Sequence, residues 1–389
     1  MNVDEPNMHR CRDSSIKILH VDVNGWVYGV QKYVINFCRE LNKVHGYRAI
    51  VVGPCGEYLN KLKKENITVI SLNKRWVKID KDPKAWVKLY QIIRKEKPDI
   101  IHSHGTKENI ICKIIGKSLN IPVVPVYHCI YKLTGSGDML IGLKRKIYEG
   151  VFLDILENVT ALFTVKNIAV SNSINSNIMG FGIPEEKIEV IPPGIEIIDL
   201  RVKKHGSNFN NRRIRITSIS RIEKEKGILD IIEAGKILRG RNQSFEMIIV
   251  GGGSFLRECG EIVHKNGLGA EIKFLGYREN VNEILLESDI FVSASHSEGF
   301  GLNVIEAMWM GIPVIVSNAG GLREIVEESK NGFIYERKNP NQLADKLLVL
   351  MRNADLRIKY GRKARERVHG QFSNEKMMSK ILQIYEELL

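Results

Sequence analysis

Two carboxylates, Glu298 and Glu306, stand eight positions apart across a Gly-rich turn, Glu298-Gly299-Phe300-Gly301-Leu302, that leads into a helical pattern. An ionised carboxylate only accepts hydrogen bonds and can hold two hydroxyls at once. Sugars and ribose offer such vicinal pairs. Gly299 and Gly301 let backbone N–H groups approach a ligand with no Cβ in the way, and a helix start behind them favours negative charge. A carboxylate for a hexose, a carboxylate for a ribose and N–H groups for a phosphate together describe a nucleotide-sugar site. Arg221 and Lys226 flank a second turn, in Ser220-Arg221-Ile222-Glu223-Lys224-Glu225-Lys226-Gly227. Two fixed cations there can neutralise a diphosphate as it leaves.

Three further sets belong to the same pattern. Gly252 lies in Val250-Gly251-Gly252-Gly253-Ser254, a stretch that permits close backbone approach. Tyr277 and Arg278 follow Phe274-Leu275-Gly276, in a loop expected beside a nucleotide base. In the first half, Gly29 opens a helix and offers its N–H to a phosphate, while His102, His104 and His128 end two strands. His128 is placed to hydrogen-bond a hydroxyl or phosphate. Each set also occurs on plain solvated surfaces; their joint occurrence at strand ends is what points to a site.

Such a site needs parallel strands to aim it. Strand patterns fall at Ile16–Val23, Ala49–Val52, Ile67–Leu72, Asp99–His104, Val123–His128, Leu162–Val170 and Ile188–Ile191. After Pro192-Pro193-Gly194 and the polar stretch Lys203–Arg213, they resume at Ile214–Ser220, Met247–Val250, Ile272–Leu275, Ile290–Ser295, Val314–Ser317 and Gly332–Tyr335. Helical patterns, such as Val30–Val44, Ala85–Glu96 and Asn109–Ser118, lie between them, and the chain from Asn339 reads as wholly helical. Alternation of this kind predicts an α/β protein with two Rossmann-like domains, parallel sheets facing a cleft, and a Pro-Gly hinge. The predicted organisation is a flexible N-terminus (1–15), a first domain (16–194) and a second (195–370) that carries the nucleotide-sugar residues.

Composition agrees. The 389 residues, 43% apolar and 26% charged, suit a soluble globular protein of two domains. No apolar run reaches transmembrane length and the polar start lacks a signal peptide's apolar core. Six cysteines without C-x-x-C spacing predict reduced thiols, hence a cytoplasmic protein with no metal site. The net charge of +13 is uneven: between Lys61 and Lys97 twelve Lys or Arg face four acids, with Trp76, Trp86 and Tyr90 among them. That surplus suits an anionic membrane surface at the inner face, or simply a solvated one. No nucleic-acid motif accompanies it.

Glu298-Gly-Phe-Gly-Leu…Glu306-Ala, Gly311-Ile-Pro-Val-Ile, Gly320-Gly-Leu-Arg-Glu-Ile-Val and Asn331-Gly-Phe resemble the signature of the family-4 retaining glycosyltransferases. Ser220-Arg221…Lys226-Gly227 and Pro98-Asp99-Ile-Ile-His102-Ser-His104 are similar to that family too. The resemblance covers about residues 16–388. It implies the GT-B fold, no metal, no cofactor beyond the nucleotide-diphosphate sugar (commonly a UDP-sugar) that serves as donor, and retention of anomeric configuration. It implies a final helix, 371–389, crossing back to the first domain. It places Glu298 on the donor sugar and Glu306 on the ribose. It puts the N–H groups of Phe300, Gly301 and Leu302 on phosphate or sugar, Arg221 and Lys226 on the diphosphate, and His128 near the reacting sugar. It also implies that the first domain holds the acceptor, a sugar or lipid-linked sugar. Two departures stand out: Tyr28-Gly29 replaces a pair of glycines, and Pro193 stands where Asn is commoner.

The expected reaction is transfer of a hexose or N-acetylhexosamine to a hydroxyl, in cell-surface polysaccharide or glycolipid synthesis. Front-face attack is favoured over a protein nucleophile, because Glu298 is better used as a sugar ligand. A nucleotide-sugar 2-epimerase shares the architecture and is the rival enzyme. A non-catalytic subunit binding a glycan or a partner transferase is the rival from another class.

Overall fold

The computed structural model describes residues 15–23, 27–72, 83–129, 155–197 and 213–389. Residues 1–14, 24–26, Trp76 and the polar stretch 203–212 lie outside them.

The β-branched runs form parallel strands. β1 (Ile16–Val21), β2 (Tyr47–Pro54), β3 (Thr68–Leu72), β4 (Ile100–His104), β5 (Val123–Tyr127), β6 (Asn167–Ala169) and β7 (Ile188–Val190) make one sheet, in the order β3-β2-β1-β4-β5-β6-β7. β8 (Ile214–Ile219), β9 (Phe245–Val250), β10 (Ile272–Gly276), β11 (Ile290–Ser293), β12 (Val314–Ser317) and β13 (Gly332–Tyr335) make another, in the order β10-β9-β8-β11-β12-β13. Every residue of β11 and β12 is buried, as expected for strands covered on both faces. In the second sheet the order reverses between β8 and β11, and ligands of doubly wound sheets bind at such a reversal.

The chain divides into two compact units. One comprises the described residues up to Val126 with Val159–Lys166 and Ile384–Leu389; the other comprises those of Tyr127–Asn158 and Asn167–Gln383. The first has a core of Leu19, Val21, Val52, Ile101 and their neighbours. Trp86 and Tyr90, from the basic segment, pack partly buried against it. The second is centred on Ile216, Met247, Ile290, Ile315 and Phe333.

The predicted strand Leu162–Val170 shrinks to Asn167–Ala169. Helix covers 155–161, and a turn follows, with the Phe163 N–H on the Thr160 carbonyl at 3.0 Å. Leu162 and Val165 are 77% and 60% exposed. Leu162, Phe163 and Val165 are apolar but exposed, so this stretch only mimics the letters of a buried strand. The helical C-terminus is three helices, Pro340–Arg352, Ala354–Gln371 and Asn374–Leu388. No helix among the described residues is long and apolar enough to cross a membrane.

In the first unit, register sets His20 of β1 beside His102 of β4. His20, His102 and His104 are buried, and each brings a nitrogen within 4.8 Å of the others. His20 Nδ1 and His104 Nε2 are 3.1 Å apart, with ring planes only 7° apart and centroids at 5.4 Å. The rings therefore meet edge to edge in a hydrogen bond, one nitrogen donating and the other accepting. That gap is too short for a metal ion in line between them, which would need two bonds of about 2.0–2.1 Å. Burial lowers the His20 pKa to about 3 from 6.5.

Between pH 6.5 and 3 the unfolded chain takes up a proton at His20 that the folded chain refuses. Stability is therefore complete above pH 6.5 and falls as pH drops through that window. We expect a loss of about 2 kcal/mol for this group between pH 7 and pH 5, read by denaturant unfolding. His20→Asn should remove only this group's part of the dependence, leaving that of any other buried imidazole; a variant with the same pH dependence as the wild type would refute it.

Candidate nucleotide-sugar site

β8 and β11 lie side by side, so the loops at their carboxyl ends meet. Gly227 closes the first loop with φ +65°, and a Cβ there would stand 1.9 Å from the Ala294 carbonyl oxygen. Only glycine lets this loop lean so closely on the end of β11. The contact is fastened by the His296 N–H on the Glu225 carbonyl at 2.7 Å. His296 Nε2 in turn lies 3.0 Å from Asp230 Oδ2, on the following helix.

This brings Lys226 to Glu298. Lys226 Nζ donates to Glu298 Oε2 at 2.8 Å, and Ser295 Oγ donates to the same oxygen at 3.0 Å. The side chains are 14% and 19% exposed, so the pair is shielded without being sealed. Arg221 is more open and reaches Glu225 at 3.4 Å.

The Gly-rich turn after Glu298 leads into the helix Leu302–Trp309, whose N-cap, Gly301, carries no side-chain cap. The first N–H groups of any helix lack an intrahelical partner. Asn303 Nδ2 donates to the Ile219 carbonyl and ties this helix start to the end of β8. Glu306, half-buried, stands one turn further along. Phe300 is buried against Phe372, with centroids 5.5 Å apart. A Cβ on Gly299 would lie 1.9 Å from the His128 carbonyl oxygen. His128 therefore adjoins the turn directly. Burial lowers its pKa to about 3, so its imidazole is neutral at pH 7 and is suited to hydrogen bonding rather than to acid catalysis.

In the third loop, a Cβ on Gly251 would stand 1.8 Å from the Ser220 carbonyl oxygen, and one on Gly253 2.2 Å from that of Ile222. Gly252 has room, its nearest neighbour being the Tyr277 Cβ at 3.9 Å. Tyr277 and Arg278 are exposed beside it. Ser254 binds the Glu223 carboxylate through both N–H and hydroxyl, which holds that carboxyl below its usual range and joins two of the loops. Gly29 belongs to the first unit and opens the helix Gly29–Leu41. There the Tyr28 N–H donates to Gln31 Oε1 at 3.2 Å, and Gln31 Nε2 donates to Asp22 Oδ2 at 2.8 Å.

Sequence reasoning missed Ser295, Ser171 and Glu324. Ser295 sits three residues before Glu298 and could have been sought there. Glu324 lies in the Gly320-Gly-Leu-Arg-Glu block, noted only as part of a signature. Its carboxylate accepts from the N–H groups of Asn172 and Ser173, each at 2.8 Å.

Residues 27–198 match the family described as Glycosyltransferase Family 4, and residues 201–367 match Glycosyl transferases group 1. The chain is 27% identical over 393 residues to the UDP-Gal:alpha-D-GlcNAc-diphosphoundecaprenol alpha-1,3-galactosyltransferase of Escherichia coli, covering 97% of this chain and 98% of that one. It is 25% identical over 398 residues to the capsular polysaccharide biosynthesis glycosyltransferase CapM of Staphylococcus aureus, covering 96% and 97%. Among solved structures, Anabaena Alr3699/HepE in complex with UDP and glucose superposes with a TM-score of 0.79 at 20% identity, covering 96% of this chain and 100% of that one.

Proposed function

This chain has the GT-B fold and belongs to the family-4 glycosyltransferases, and from that premise we propose that it is a retaining, metal-independent transferase using a UDP-sugar. The sugar would be a hexose or N-acetylhexosamine, the acceptor a hydroxyl of a sugar or lipid-linked sugar, and the setting cell-surface polysaccharide or glycolipid synthesis. The single observation that carries this reading is the Lys226–Glu298 pair at 2.8 Å, where β8 and β11 end. It sets a cation for a diphosphate beside an acceptor for sugar hydroxyls. Lys226 and Ser295 both address Oε2 of Glu298, leaving Oε1 for the donor sugar.

In the proposed reaction the bond from the sugar's anomeric carbon to the diphosphate oxygen breaks, and its electron pair stays with the diphosphate. The acceptor hydroxyl bonds to the same face of that carbon, and its proton passes to the departing phosphate oxygen. Lys226, Arg221 and the N–H groups of Phe300, Gly301 and Leu302 stabilise the leaving charge. Glu306 holds the ribose hydroxyls. Gly252, Tyr277 and Arg278 border the base. His128, neutral, positions a hydroxyl of the reacting sugar. The fixed geometry supplies much of the remaining rate enhancement.

The E. coli relative's name specifies a lipid-linked acceptor. We extend that to this chain, with the basic segment 61–97 as the surface suited to an anionic bilayer. One assay tests these readings: a UDP-sugar screen in EDTA, with a polyprenyl-diphosphate-linked sugar in anionic or neutral vesicles, and the product's anomeric configuration read by NMR. Retained configuration, activity in EDTA and faster transfer on anionic vesicles are expected. An inverted product, or activity abolished by EDTA and restored by a divalent ion, would overturn the mechanism. Equal rates on both vesicle types would remove the membrane role. Interconversion of donor epimers without acceptor would favour an epimerase.

A further inference from the structure

Two peptide planes in the turn after Glu298 are held from behind. The Glu298 carbonyl accepts from the Gly321 N–H at 3.1 Å, and the Gly299 carbonyl accepts from Ser171 Oγ at 2.7 Å. A peptide unit is planar and trans, so its C=O and the next residue's N–H point in opposite directions. Pinning the Glu298 and Gly299 carbonyls therefore aims the N–H groups of Gly299 and Phe300 away from Gly321 and Ser171.

Ser171 is itself fixed. It is the N-cap of the helix Asn172–Met179, and its Oγ accepts from the Ile174 N–H at 3.2 Å. The Glu324 carboxylate closes the ring. It accepts from the N–H groups of Asn172 and Ser173 and from Asn172 Nδ2, at 2.8, 2.8 and 2.9 Å. Glu324 lies three residues after Gly321, the other anchor of the turn. Arg367 secures that segment through the Glu324 carbonyl at 2.9 Å and the Ile325 carbonyl at 2.7 Å. The fit is tight: a Cβ on Gly320 would lie 1.9 Å from the Glu298 carbonyl oxygen, and one on Gly321 2.5 Å from that of Gly299.

We infer that Ser171 is a positioning residue for the donor diphosphate, aiming the Phe300 N–H, and that Glu324 positions Ser171. This rests on the nucleotide-sugar reading of the site. Ser171 touches no substrate; it acts through the orientation of one peptide plane. Its effect should therefore be felt by the phosphates and not by the base or ribose.

The test is calorimetric titration of UDP and of uridine into the wild type, Ser171→Ala, Ser171→Thr and Glu324→Gln, with thermal melts to confirm folding. Ser171→Ala should weaken UDP roughly tenfold and leave uridine unchanged, since a charge-assisted hydrogen bond loses its alignment. Ser171→Thr, which keeps the hydroxyl, should restore most of it. Glu324→Gln should give a smaller loss of the same kind. A folded Ser171→Ala that binds UDP like the wild type, or loses UDP and uridine equally, would overturn the positioning role. Failure of Thr to restore binding would do the same. Failure of the wild type to bind UDP would instead bring down the nucleotide-sugar reading, and this inference with it.

Discussion

Replacing Lys226 by alanine is expected to lower kcat by roughly a hundredfold or more, with a far smaller change in the donor's KM, by analogy with removing one preorganised oxyanion donor. Negative charge on the leaving diphosphate grows as the anomeric bond breaks, so a cation beside it works harder in the transition state than in the bound donor. Lys226 is held for this by the Gly227 turn and by Glu298 at 2.8 Å. Its loss also leaves the largely shielded Glu298 without its counter-charge, which itself disturbs the site. Arg221→Ala separates the two effects. Arg221 pairs with Glu225 rather than Glu298, so its removal takes a cation from the site and leaves the Lys226–Glu298 pair intact. It should also depress turnover more than donor affinity. Steady-state kinetics of both variants settle the matter; turnover within about threefold of the wild type in both would exclude the assigned role.

Glu306→Ala should weaken the free nucleotide diphosphate roughly ten- to a hundredfold, whichever sugar the full donor carries. The carboxylate stands half-buried one turn into the helix Leu302–Trp309, where two acceptor oxygens can take both ribose hydroxyls at once. Glu306→Gln keeps one such oxygen and should lose less. Titration of UDP is the measurement, and an affinity unchanged within about twofold would reject the ribose role.

The parts of this protein that were legible in its sequence are those in which chemistry or packing constrains neighbouring residues. β12 and β13 were read at their true bounds because buried parallel strands must be runs such as Val314–Ser317. Lys226 and Glu298, 72 positions apart, could be assigned to one site because each follows a strand and the strand order brings those ends together. Ser171 and Gly299 are 128 apart and Glu324 and Asn172 are 152 apart. Their links run from one side chain to backbone, and such bonds leave no spacing pattern around either partner. Leu162–Lys166 misled for the opposite reason: exposed apolar residues carry the same letters as buried ones.

Tyr385 donates to or accepts from His102 Nδ1 at 2.6 Å, across 283 positions of chain. Tyr385 is fully buried, and the Tyr47 ring packs on it with centroids 6.3 Å apart. Because Ile384–Leu389 belongs to the same compact unit as β1 to β4, that unit cannot be completed in the order in which it is translated. At about 5–20 residues per second, His102 leaves the ribosome roughly 15 to 60 seconds before the tyrosine that covers it. For that interval the earliest-made sheet stands with an open seam at its histidines, while the whole second sheet, β8 to β13, is still being made.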